Sequence, residues 1–126
     1  MTDRELVGLA AKAYFGEHFK GEVKWTLLPK GGFWEALTEG QSHDDLLGFQ
    51  RFDPLNYDDD ALRLAVKLGI EIHPDRQVSE IVTAFCVHRP HLVGLNTYEE
   101  FGDDEMAAAR RAIVRAAAEI GREVVG

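Results

Sequence analysis

Arg111 and Arg115 lie four positions apart in a run, Met106-Ala-Ala-Ala-Arg-Arg-Ala-Ile-Val-Arg-Ala-Ala-Ala-Glu-Ile120, whose composition is that of a helix. On a helix, positions i and i+4 are neighbours on one face, so two guanidinium groups would stand where both can grip one phosphate or carboxylate. Arg110 falls at the border of the apolar stripe that such a helix would bury. The surroundings sharpen the contrast: residues 1–105 carry 20 acids and 10 bases, whereas residues 106–126 carry two acids and four arginines. A locally basic helix on an acidic body repels long nucleic acid while still accepting a small phosphorylated ligand. The plainer alternative is a solvated helix face whose arginines pair with Glu119 or with the acids at the helix start.

Other chemistry finds little support. The five histidines, at positions 18, 43, 73, 88 and 91, include one close pair, His88 and His91, and a lone cysteine cannot complete a structural zinc site with them. Asp58, Asp59 and Asp60 do not have the alternating spacing of a calcium loop, and their position fits the start of a helix. Ser42 and Ser79 sit in no nucleophile elbow, and Gly31-Gly32 has neither the Walker nor the dinucleotide-binding spacing. Cys86 lies inside an apolar run and reads as an inert buried thiol. No enzyme signature, metal site or cofactor is implied.

The elements that must position the arginines follow from periodicity. Thr2 and Glu5 have capping-box spacing, and Leu6, Val7, Ala10, Ala13 and Tyr14 recur at the helical period, which predicts a first helix over Asp3 to Phe15. Strands are predicted over Glu22 to Leu28, Phe33 to Leu37 and Leu46 to Phe52, with the polar stretch Thr38 to Asp45 as a hairpin connection. Pro54 ends the third strand, and Asn56 or Asp58 is placed to cap a second helix over Asp59 to Leu68, stopped by Gly69. Ile70 and Ile72 alternate with Glu71 and His73 before Pro74, and Ser79 to Val87 is the most strand-like run in the chain. In that run Ile81, Thr83, Phe85 and Val87 share one face, with Val82, Ala84 and Cys86 on the other, an apolar pattern that predicts a strand covered on both faces. An irregular connection, His88 to Phe101, leads to Asp103 as the cap of a last helix over Asp104 to Arg122. The expected architecture is one α+β domain: an antiparallel sheet of four to five strands covered by three helices, the last long and C-terminal. With 126 residues and a net charge of -8, there is one domain's worth of chain, and binding to anionic membranes is not expected. A charged N-terminus without the apolar core of a signal peptide, together with the single cysteine, predicts a cytoplasmic location. The small-residue stripe from Ala109 to Ala117 would let a second helix approach closely, which predicts a homo-oligomer.

Three segments, TDRELVGLAAKA, FDPLNYDDDALRLAVKLGI and EEFGDDEMAAARRAIVRAAAEIG, together resemble small proteins of phages and prophages, in which an aromatic-Asx-Pro-Leu turn precedes a helix and an Ala/Arg-rich helix closes the chain. The layout is similar to that of NinX-type phage proteins. It also looks like the first type of phage Thoeris anti-defence protein, a sponge for cyclic ADP-ribose isomers and, in some members, cyclic oligonucleotides. That resemblance implies sequestration of an immune signal, with a helix arginine pair, a strand aromatic and a loop asparagine at subunit contacts. By order along the chain these would be Arg111 and Arg115, Phe85, and Asn96, with Arg110 able to replace either arginine. A different expectation is an acidic, anti-CRISPR-like inhibitor that presents Asp58 to Asp60 and Glu99 to Glu105 to a basic channel of a host defence complex.

Overall fold

In a computed structural model of the chain, which describes residues 1–40, 46–75, 80–86 and 98–124, the capping box at Thr2 forms as the spacing dictates. The Glu5 N–H donates to Thr2 Oγ1 at 3.2 Å, the Thr2 hydroxyl donates to the Glu5 carboxylate at 3.1 Å, and helix α1 runs Asp3–Phe15. Strands β1 (Phe19–Leu28), β2 (Gly31–Thr38) and β3 (Gly48–Arg51) follow, then α2 (Asp58–Leu68), strands β4 (Ile70–Asp75), β5 (Ile81–Cys86) and β6 (Tyr98–Glu100), and the 20-residue α3 (Glu105–Val124). Gly69 takes the left-handed conformation, φ 67° and ψ 39°, that a Cβ would disfavour, and its N–H closes α2 on Ala65 O.

The sheet expectation needs correction. There is no single sheet of four to five strands: two three-stranded antiparallel sheets form, ordered β1-β2-β3 and β4-β5-β6. The first sheet lays Val23 and Ala36 against α1, and the second lays Val82, Ala84 and Cys86 against α3, while α1 packs on α3 between them. The helices therefore sit between the sheets, and both amphipathic strand sets turn their apolar faces inward. The sixth strand, Tyr98–Glu100, falls where an irregular connection is expected; three residues show too little alternation to be read. Pro74 does not end β4 but lies within it, opposite Val82, on an edge strand where its missing N–H leaves no ladder bond unmade.

Two caps also differ. Tyr57, not Asn56 or Asp58, precedes α2 and makes no side-chain cap; Asn56 instead turns back to Asp53. Asp104, not Asp103, caps α3, accepting from the Ala107 N–H at 3.0 Å. Buried positions on α3 include Ala108, Ala112, Ile113, Val114, Ala116, Ala117, Ala118 and Ile120, far more than a narrow stripe, because α1, α2 and the second sheet all contact this helix. The small residues serve that crowding inside the chain. A Cβ on Gly121 would collide with the Leu9 carbonyl, so the close approach of α1 to α3 requires glycine there. Among the described residues no helix is long and apolar enough to cross a membrane.

Candidate functional site

α3 is contacted on most sides, and four of its charged residues, Arg111, Arg115, Glu119 and Arg122, share one line that recurs every three or four positions. Arg111 and Arg115 stand side by side as their spacing demands, and they do grip one carboxylate, from within the chain. Glu99 Oε1 lies 3.4 Å from Arg111 Nε and 3.3 Å from Arg115 Nη1. The register of β6 explains this placement: Glu99 is opposite Val82, whose side chain is buried toward α3, so Glu99 shares that face. The oxygen is buried and ion-paired, yet no donor is aligned for a hydrogen bond to it. Arg111 Nη2 also donates to Asp3 Oδ1 at 3.1 Å, and Arg115 Nη1 to the Tyr98 carbonyl at 3.2 Å. Arg122 Nη1 reaches Glu119 at 3.2 Å. Arg111, Arg115, Glu119 and Arg122, with Met1 and Leu6, line a cleft of about 230 Å³ holding three guanidinium groups and the Glu119 carboxylate, a local reversal of the protein's net charge of -8; Glu99 and Asp3 line a neighbouring cleft on the other side of Arg111.

The other expected site residues separate from this pair. Arg110 points elsewhere: its Nε donates to Leu55 O at 2.8 Å and its Nη1 to Asp58 Oδ1 at 2.6 Å, with only 15% of the side chain exposed. It ties α3 to the turn before α2. Phe85 lies on the face of the second sheet opposite the buried Val82, Ala84 and Cys86, and its ring packs edge-on against His73 at 4.9 Å between centroids. It does not converge with α3. Asn96 lies outside the described residues. Arg122 is not among the expected site residues, although its position seven residues after Arg115 puts it on the same helix face; Glu99 carries no such signal, because only the β6 register brings it across.

The acidic triplet is bonded internally. Asp58 is held by Arg110, Asp59 by Arg51 at 2.7 Å, and Asp60 by Arg51 and Arg63 at 3.1 Å each. The Asp60 hydrogen bond raises the Arg51 pKa against the opposing effect of burial, and the Arg51 guanidinium stacks 4.5 Å from the Tyr57 ring. Asp53, in the aromatic-Asp-Pro turn, is completely buried. It accepts from the Trp34 and Asn56 N–H groups at 3.2 Å each and from Asn56 Nδ2 at 3.0 Å, and its own N–H donates to Asp60 Oδ2 at 2.9 Å. Desolvation pushes its pKa up despite those donors. With its oxygens occupied and no solvent access, Asp53 fastens β2, β3 and α2 together and reaches no substrate. Among the described residues no group of three or more His, Cys, Asp or Glu could hold a metal ion. Cys86 is buried, its thiol on the Leu68 carbonyl at 3.3 Å.

No protein family, curated protein or solved structure matches this chain.

Proposed function

We propose that this chain is a non-enzymatic binding protein that captures a small phosphorylated ligand of the nucleotide class in the α3 arginine cleft. The observation that carries the reading is the convergence of Arg111 and Arg115 on a single carboxylate oxygen at 3.4 and 3.3 Å. A carboxylate and a phosphate offer guanidinium forks the same acceptor geometry, so a pair that holds Glu99 is organised for a phosphate oxygen. Arg122 supplies a third cation. The cleft, at about 230 Å³, is smaller than the roughly 300–1,000 Å³ of complete small-molecule pockets, which suits one phosphate group rather than a whole nucleotide. The neighbouring cleft, of about 420 Å³, shares Arg111 and is lined also by Arg110, Leu55, Phe101 and several acids, a chemistry that suits a base and its hydroxyl-bearing sugar. Sequestration requires no catalysis, and the resemblance to phage sponges supplies the ligand class: cyclic ADP-ribose isomers or cyclic oligonucleotides that serve as host immune signals.

The inhibitor reading has less behind it. Of the acids it would present, Asp58 to Asp60 and Glu99 to Glu105, the first three are already bonded to Arg110, Arg51 and Arg63, and Glu99 to Arg111 and Arg115. Titration calorimetry of the full chain against cyclic ADP-ribose isomers, cyclic dinucleotides and inorganic phosphate tests the proposal. Binding of one nucleotide class, lost in the Arg111→Ala/Arg115→Ala double variant, is expected. No binding of either class, or a double variant that binds as tightly as the parent, overturns it.

A further inference from the structure

A second cleft, of about 520 Å³, lies between α1 and β1 and shares no lining residue with the arginine cleft. α1 lines it with Arg4, Glu5, Gly8, Leu9 and Lys12, of which Arg4, Gly8 and Lys12 are each one turn from the next. Gly8 is the anomaly. Glycine is among the poorest residues in a helix interior, about 1 kcal/mol less favourable than alanine. Gly121 has a reason in packing, since a Cβ would strike the Leu9 backbone. Gly8 has none inside the chain: it sits in regular helix and a Cβ at its position would meet no atom within 4 Å. What the missing side chain preserves is open space in the cleft.

The residues around that space favour one kind of occupant. Leu9, Phe19 and Val23 provide apolar walls. At one end Arg4 is committed, donating to Val23 O at 2.8 Å and standing 5.5 Å from the Trp34 ring centroid. At the other end the Lys12 ammonium makes no hydrogen bond or ion pair among the described residues. Glu5 and Glu22 on the rim disfavour a multiply charged anion. We infer that the α1–β1 cleft is a binding site for a small hydrophobic carboxylate, whose flat apolar body lies over Gly8 against Leu9, Phe19 and Val23 while its single charge meets Lys12.

Titration of the full chain with 2-naphthoate and with neutral 2-naphthamide, followed by backbone-amide NMR and calorimetry, provides the test. Both probes should shift the amides of Gly8, Lys12 and Val23, with naphthoate the tighter. Gly8→Leu fills the space and improves the helix, so it should bind neither probe while melting no lower than the parent. Lys12→Gln should weaken naphthoate by about tenfold or more, the scale for losing a charge-assisted hydrogen bond, and leave naphthamide unchanged. The inference is overturned if no amide around Gly8 shifts at millimolar probe, or if Gly8→Leu binds like the parent. It is equally overturned if the only effect of Gly8→Leu is on self-association seen by light scattering, which would make the occupant another protein chain.

Discussion

Replacing Glu99 by glutamine separates an occupied anion site from an inert ion pair, because it should move stability and ligand affinity in opposite directions. The Glu99 carboxylate, 20% exposed, meets Arg111 and Arg115 at 3.4 and 3.3 Å, and both arginine side chains are 38% exposed. Solvent screening keeps each such pair near 0.2–1 kcal/mol, so the two together contribute about 0.5–2 kcal/mol, toward the upper end because the accepting oxygen is itself buried. Glutamine retains the shape and removes the charge, so the variant should be less stable by that amount in urea denaturation. An incoming phosphate no longer has to displace a carboxylate, and the same free energy should return as roughly 2–30-fold tighter binding, at 1.36 kcal/mol per factor of ten. Calorimetry with the nucleotide that binds the parent, at constant ionic strength, reads the second effect, and the gain should shrink as salt rises. If Glu99→Gln loses stability but binds no better, Glu99 positions the arginines rather than occupying their ligand's place. If it binds more weakly, the proposed competition is wrong.

Arg110→Ala should cost stability by about 1.5–3 kcal/mol in urea denaturation, because it removes two bonds from a mostly buried guanidinium; an unchanged urea midpoint would contradict the tie it makes between α3 and the turn before α2. Asp53→Asn should show a pH-dependent deficit. A buried acid whose pKa is raised in the folded state above its ordinary 3.8 binds its proton more tightly there, so its stabilising contribution is present in acid and lost as pH rises through the raised value. The gap between parent and variant in urea midpoints should therefore narrow from pH 4 toward pH 7, and a gap that widens would reverse the sign. Two glycines of α1 and α3 should respond oppositely to alanine: Gly8→Ala should stabilise by about 1 kcal/mol, whereas Gly121→Ala should destabilise by about 1–3 kcal/mol through its clash with Leu9. Thermal melts that moved in the same direction would contradict the packing described for α1 on α3.

The helices were legible in the sequence because their signals are local. Thr2 with Glu5 states where α1 begins, and Gly69 states where α2 ends, each through atoms only a few residues apart. Neighbouring guanidiniums at Arg111 and Arg115 follow from helical spacing alone, and so does Arg122 on the same line. Alternation likewise divided Phe85 from Val82, Ala84 and Cys86, but could not say which face a helix would cover. That depended on α3 docking on the inner face of the second sheet, a contact between segments distant in sequence whose hydrophobic driving force has no direction of its own. The division of six strands into two sheets depended on the same docking, since either sheet satisfies the alternation of its own strands. Glu99 reaches the arginines only because β6 pairs with β5 in the register that sets Glu99 opposite Val82, and Arg110 leaves them only because Leu55 and Asp58 stand beside α3. Local chemistry thus placed the cations; long-range packing chose which of them face solvent and which acid stands between them.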